Sequence, residues 1–193
     1  MHHTLVILVE DKPGVLNRVA SLFRRRNFNI ESLTVGHTDT PGISRMTLVV
    51  NGDQVSVERL TFYLYKLVNV IQVEDLTNRP MVSRDLAMIK VSTSTDKRAE
   101  IIQMVDVFRA RVVDVTANAL IIEATGDEGK INGLVDVLRP LGIIEMVRTG
   151  TVAMARGSDP LMTNYANGNG KVYETVQSSD DPVFNNEYGV LRK

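Results

Sequence analysis

The spacing of apolar residues predicts one order of elements over the first 77 residues of the chain. Apolar residues that recur at i, i+3 and i+4 indicate helices, and short apolar runs bounded by turn residues indicate strands. The predicted elements are a strand at 4–10, a helix at 13–26, a hairpin at 29–50, a helix at 57–67 and a strand at 70–76. The order of elements is therefore βαββαβ.

The same order recurs in the second half of the chain. The predicted elements are a strand at 85–92, a helix around 101–108, a hairpin at 111–125, a helix at 131–138 and a strand at 143–156. Two copies of this unit predict an α+β protein of two tandem ferredoxin-like βαββαβ domains, with antiparallel sheets that carry helices on one face. Such a unit orders its strands 4-1-3-2, so its second strand lies at a sheet edge.

The domain boundaries follow from changes in composition. The first domain is predicted at 2–77, a polar, proline-containing linker at 78–84, and the second domain at 85–157. Residues 158–193 are rich in Asn, Gly, Ser and Asp and show no sustained period, which predicts a polar, disordered tail.

Composition excludes several classes of protein. The net charge of -1 argues against binding to nucleic acid or to an anionic membrane, and the absence of cysteine excludes disulfides, thiolate catalysis and Cys-type zinc sites. No apolar run reaches the roughly 18 residues of a membrane span, and no secretion signal is evident. We therefore expect a cytoplasmic protein without a membrane partner.

The sequence carries little catalytic chemistry. His2 and His3 are expected to form an exposed N-terminus, and His37 is expected to end a strand, so neither a catalytic residue nor a metal site is predicted. The glycine-containing stretches fail the spacing of a P-loop. RNA-binding domains of this fold carry stacking aromatic residues on a basic sheet, whereas aromatic residues make up 5% of this chain. A small-molecule sensor or a partner-binding module remains.

The stretch EDKPGV, at the end of the first strand, is the strongest candidate site. Pro13 suits the first turn of a helix, and Asp11 is placed to cap that turn. Gly14 costs helix stability at such a position, which indicates that a ligand comes close to the backbone. The matching junction of the second unit, STSTDKRAE, contains no glycine.

The expected ligand of this stretch is an amino acid. The backbone N–H groups of Gly14, Val15 and Leu16 are predicted to bind a carboxylate, and Asp11 is placed to meet an ammonium group. Simpler roles are equally open, since Asp11 can cap the helix and Gly14 can permit tight packing.

Two residues at the start of the next strand complete the candidate site. Asn29 offers a hydrogen-bond donor and an acceptor, and Ile30 could line an apolar slot. Asn29 could instead close a turn.

Long stretches of the chain resemble a known family. The run EDKPGVLNRVASLFRRRNFNIESLTVGHTDTPGISRMT resembles the N-terminal ACT domain of the small regulatory subunit of acetolactate synthase. The runs FRARVVDVT, GKINGLVDVLRPLGIIEMVRTG and VAMARG resemble its second, ACT-like domain. The resemblance covers residues 2–157, and the segment NIESLTVG…SRMT is its most specific part.

The resemblance implies a noncatalytic subunit with a large catalytic partner. Such a subunit activates a thiamine-diphosphate-dependent catalytic subunit and confers feedback inhibition by a branched-chain amino acid, usually valine. It holds no cofactor itself, so thiamine diphosphate and Mg²⁺ are expected in the catalytic subunit. The ligand is held between the ACT domains of a homodimer, by Asp11 to Leu16 of one chain and Asn29 and Ile30 of the other. Many members carry Asn at the position of Asp11.

Two further functions are kept as alternatives. One is a stand-alone ACT-type amino-acid sensor that regulates another protein, and the other, weaker alternative is an RNA-binding protein.

Pairing of the edge strand NIESLTVGH with its copy in a second chain would form the expected dimer.

Overall fold

The computed structural model describes residues 1–94 and 96–158, together with two short strands farther along the chain. Two compact units divide these residues. Met1–Met81 and Ala155–Lys193 belong to the first unit, and Val82–Met154 form the second unit.

The Met1–Met81 part of the first unit forms one four-stranded sheet with two helices. Its elements are β1 (His2–Glu10), α1 (Val15–Arg25), β2 (Ile30–His37), β3 (Ile43–Asn51), α2 (Gln54–Leu64) and β4 (Val70–Asp75). The strands lie in the order β2-β3-β1-β4, and each neighbouring pair is antiparallel. This arrangement confirms the predicted βαββαβ unit, its 4-1-3-2 strand order and the edge position of its second strand.

One hydrophobic core holds the first unit together. Alternate residues of β1 point toward the helices because side chains alternate between the faces of a strand. Leu5, Ile7 and Val9 therefore pack with Phe23 of α1 and Leu60 of α2, and all five are buried. Burial of a side chain of this size contributes about 1.5–3 kcal/mol. The apolar residues whose spacing predicted both helices are the ones that make these core contacts.

The second unit repeats the order of elements. They are β5 (Met81–Ser92), α3 (Arg98–Val107), β6 (Arg111–Val115), β7 (Ala119–Gly126), α4 (Glu128–Gly142), β8 (Ile143–Arg148) and β9 (Val152–Ala155). The strand order is β6-β7-β5-β8, and β9 also pairs with β5. Its core is built on Ile89, Ile101, Leu120 and Leu134.

Two predicted boundaries differ from the structure. The single strand predicted at 143–156 is divided into β8 and β9, because the chain leaves the ladder at Thr149–Thr151. Residues 81–84, predicted as linker, already belong to β5. Beyond Ser158, the structure describes β10 (Tyr165–Ala166) paired with β11 (Val172–Tyr173), and the rest of the predicted polar tail lies outside the described residues.

Candidate ligand-binding site

A tight turn joins β1 to α1. Gly14 has φ 82° and ψ -3°, and the Val15 N–H donates to the Lys12 carbonyl at 3.3 Å. This geometry is that of a type II turn, with Pro13 and Gly14 at its two central positions. A Cβ on Gly14 would meet no atom within 4 Å among the described residues. Its positive φ, and not close packing, is therefore what requires glycine in this chain.

The predicted helix cap is wrong. Helix α1 begins at Val15 with Gly14 as its N-cap, and no side chain makes a capping hydrogen bond there. Asp11 lies before the turn, where its N–H donates to the Gly42 carbonyl at 2.8 Å. Its carboxylate lies 3.3 Å from Nδ1 of His37, and both side chains are exposed. Asp11 is thus close to an imidazole that the sequence did not place beside it.

The predicted set of three anion-binding N–H groups needs correction. The Val15 N–H closes the turn, and the Val15 side chain is buried in the core. The first helical hydrogen bond runs from the Arg18 N–H to the Gly14 carbonyl at 3.1 Å, so Leu16 and Asn17 have no acceptor within the helix. Leu16 also exposes its side chain. Of the predicted set, Val15 is therefore used within the turn, while Gly14 and Leu16 stay candidates and Asn17 joins them.

Asn29 and Ile30 lie at the opposite end of the sheet from this turn. Through β3, Ile30 is in register with His3 at the start of β1, whereas the turn follows Glu10 at the end of β1. Seven residues at about 3.3 Å each separate the two positions by about 23 Å along the strand. One chain therefore does not bring the two halves of the predicted site together.

The environments of these two residues also differ. Asn29 is exposed, while Ile30 is half-buried and packs against the core of its own unit. Of the pair, Asn29 has the more accessible side chain.

A polar network behind the turn was missed by sequence reasoning. Glu10 is 7% exposed, and its carboxylate accepts hydrogen bonds from Nδ2 of Asn69 at 2.7 Å and Nζ of Lys12 at 2.8 Å. Asn69 in turn accepts from Arg18 of α1 at 2.5 Å. The network ties the turn to the starts of α1 and β4. A glutamate that directly follows a buried apolar run was the available signal, because such a carboxylate needs partners.

The expectation that His3 is exposed is wrong. Its side chain is 0% exposed, and Nδ1 lies 3.0 Å from Asp75 at the end of β4, so it does not form an exposed N-terminus. Burial raises the pKa of Asp75, but hydrogen bonds from the hydroxyl and N–H of Thr77 and from His3 outweigh that effect, and the pKa lies below its ordinary value. His37 does end a strand, as predicted.

Two other features bear on the class of site. Across the described part of the chain, no three His, Asp or Glu side chains converge to hold a metal ion. No described helix has the length and apolar character needed to cross a bilayer.

Comparison with known proteins identifies the family. Residues 5–72 match the AHAS small subunit-like ACT domain, and residues 84–157 match the small subunit of acetolactate synthase. A probable acetolactate synthase small subunit from Archaeoglobus fulgidus is 52% identical over 158 residues, which cover 82% of this chain and 99% of that protein. The chain belongs to the acetolactate synthase small-subunit family.

Other members of the small-subunit family agree with this assignment. The acetolactate synthase small subunit of Mycobacterium bovis is 50% identical over 155 residues, covering 80% of this chain and 92% of that protein. The crystal structure of the Thermotoga maritima small subunit superposes with a TM-score of 0.77 at 41% identity, over 82% of this chain and 99% of that one. Membership in the family confirms the predicted resemblance and gives the chain a regulatory role beside a large catalytic subunit.

Proposed function

We propose that this chain activates the catalytic subunit of acetolactate synthase and makes it sensitive to feedback inhibition by valine. The observation that carries the proposal is the 52% identity across 99% of the Archaeoglobus fulgidus small subunit, which spans both units. The chain itself has no catalytic activity under this proposal. Thiamine diphosphate and Mg²⁺ are bound by the catalytic subunit, and a cytoplasmic location stays a prediction from the sequence.

The regulatory ligand binds at the turn between β1 and α1. N–H groups before the first helical hydrogen bond favour a carboxylate, and the macrodipole of α1 adds to this preference. Asp11 faces the ammonium group of the same ligand, in competition with His37. The exposed side chain of Leu16 supplies an apolar contact for a branched aliphatic side chain.

Asn29 and Ile30 reach this ligand from a second copy of the chain. When two β2 strands pair antiparallel about a two-fold axis, the start of one strand lies opposite the end of the other. His37 ends β2 and lies beside Asp11. Asn29 and Ile30, at the start of β2 in the second chain, therefore approach the β1–α1 turn of the first chain. Within their own chain, the same two residues lie about 23 Å from the turn along the strand.

The other edge of the same sheet favours pairing through β2. The Tyr65 hydroxyl accepts a hydrogen bond from the Val73 N–H and donates one to the Val73 carbonyl, each at 3.0 Å. Because those two groups point away from β1, the outer side of β4 is occupied at Val73. A strand added to this sheet is better accommodated beside β2.

An activity assay tests the proposal. The purified catalytic subunit of the same organism is assayed for acetolactate formation with and without this chain, and with valine, leucine or isoleucine. We expect no activity from the chain alone, a higher rate from the mixture, and inhibition by valine only in the mixture. A chain that binds valine by calorimetry yet leaves the catalytic subunit unchanged would instead be a stand-alone sensor.

A further inference from the structure

Cations and aromatic rings share one face of α2 and of the turn that follows it. Arg59, Phe62, Tyr63 and Lys66 are spaced i, i+3, i+4 and i+7, which places them along one side of the helix. Arg26, just after α1, lies against the same surface. These five residues are called the cation–aromatic patch.

Two of the three positive charges of the patch are held against its rings. The guanidinium carbon of Arg26 lies 3.5 Å from the centre of the Tyr63 ring. Nζ of Lys66 lies 5.2 Å from the same ring centre and 5.6 Å from that of Phe62. Cation–π contacts of this kind hold a charged group in place without neutralising it.

Within the part of the chain that the structure describes, no acidic side chain neutralises the patch. Across the described residues, Arg26, Arg59 and Lys66 form no ion pair with a carboxylate. Phe62 is 69% exposed beside these charges. A helix macrodipole accounts for cations at the end of α1, but it does not explain Arg59 within α2 or an exposed Phe62.

We propose that the cation–aromatic patch docks on an acidic surface of the acetolactate synthase catalytic subunit, an inference that rests on the proposed function. Arginine and aromatic residues are enriched at the energetic centres of protein interfaces, and complementary charge steers association. A second copy of this chain presenting the same patch would bring like charges together, so self-association through the patch is disfavoured. The net charge of -1 for the whole chain favours a protein over RNA as the partner.

Charge reversal tests the docking surface. The variant R26E/R59E/K66E is compared with the control R84E/K97E/R109E, which changes the net charge equally at three exposed cations of the second unit. Binding to the purified catalytic subunit is measured at about 50 and 200 mM salt, a range over which screening changes strongly. We expect the patch variant to lose at least about tenfold in affinity at low salt and to lose or reverse its salt dependence, because salt screens the new repulsion, with the control within about twofold of the parent.

A single substitution distinguishes a loss of binding from a folding defect. Phe62→Ser alters an exposed side chain and is expected to weaken binding several-fold at both salt concentrations, with an unchanged melting temperature. Patch variants that bind like the parent, or a control that loses as much affinity as the patch variant, would overturn the proposal. RNA binding at physiological salt that disappears in the patch variant would overturn it as well. A parent chain that fails to bind the catalytic subunit would contradict the proposed function itself.

Discussion

Gly14 serves the backbone of the turn and the proposed ligand at once. Its φ of 82° lies in the left-handed region, where an L-residue costs about 1–2 kcal/mol. The sequence singled out Gly14 for a ligand near its backbone, which stays a prediction, and did not reveal that the positive φ of the turn also requires glycine. The Pro-Gly pair was itself a type II turn signal, and reading Pro13 as the first helical residue concealed that signal. The contact between Asp11 and His37 joins the turn after β1 to the end of β2 and could not be read from local spacing.

Gly14→Asp should separate inhibition from activation. The added carboxylate would repel the ligand carboxylate, so we expect valine inhibition to disappear while activation of the catalytic subunit is largely kept. Gly14→Ala is the matched control, because it introduces the same backbone strain without charge and has open space around its Cβ. A Gly14→Asp holoenzyme as sensitive to valine as the parent would show that the ligand does not bind at this turn.

Asp75 predicts how the stability of the first unit depends on pH. Its folded pKa is lowered, chiefly because hydrogen bonds from Thr77 and His3 outweigh burial. The ionised carboxylate therefore stabilises the fold above its unfolded pKa of about 3.9, and this contribution is lost as pH falls through the folded value. We expect Asp75→Asn to lower the melting temperature at pH 7 and to flatten its fall below about pH 4. Asp39→Asn, which removes an exposed carboxylate of the same unit, is the matched control.

At the scale of elements, the second unit depends on a polar contact that links three of them. Arg148 of β8 donates two hydrogen bonds to the carboxylate of Asp85 in β5 and one to Asn132 of α4 at 3.0 Å. Apolar spacing predicted these elements because each presents a periodic face to the core. It could not predict this contact, since Asp85 and Arg148 lie 63 positions apart.

Removal of Asp85 should destabilise the second unit alone. Asp85→Ala leaves the Arg148 guanidinium without its buried partner, and we expect a loss of about 3 kcal/mol. Native-state hydrogen exchange at the core amides of β5 and β7 measures this loss locally, with the amides of β1 and β3 as the internal reference. If the amide exchange rates of the second unit do not change, solvent compensates the Arg148 guanidinium and the prediction is wrong.

At the scale of the whole molecule, strand order and register decide where the site residues lie. The sequence predicted the 4-1-3-2 order and therefore the edge position of β2. It did not reveal that Asn29 and the turn at Gly14 are held at opposite ends of one sheet, because that separation follows from the register of β1, β3 and β2. A ligand held by both sets of residues must consequently bind two chains.

The dimer dissociation constant, measured with and without valine, tests this central claim most directly. A ligand that binds the dimer and not the monomer stabilises the dimer, and at a hundred times its own dissociation constant one site contributes about 2.7 kcal/mol. Sedimentation across a dilution series should therefore show the dimer dissociation constant fall about a hundredfold for one site and further for two. A dissociation constant unmoved by saturating valine would place the ligand within a single chain and contradict the placement of Asn29 and Ile30.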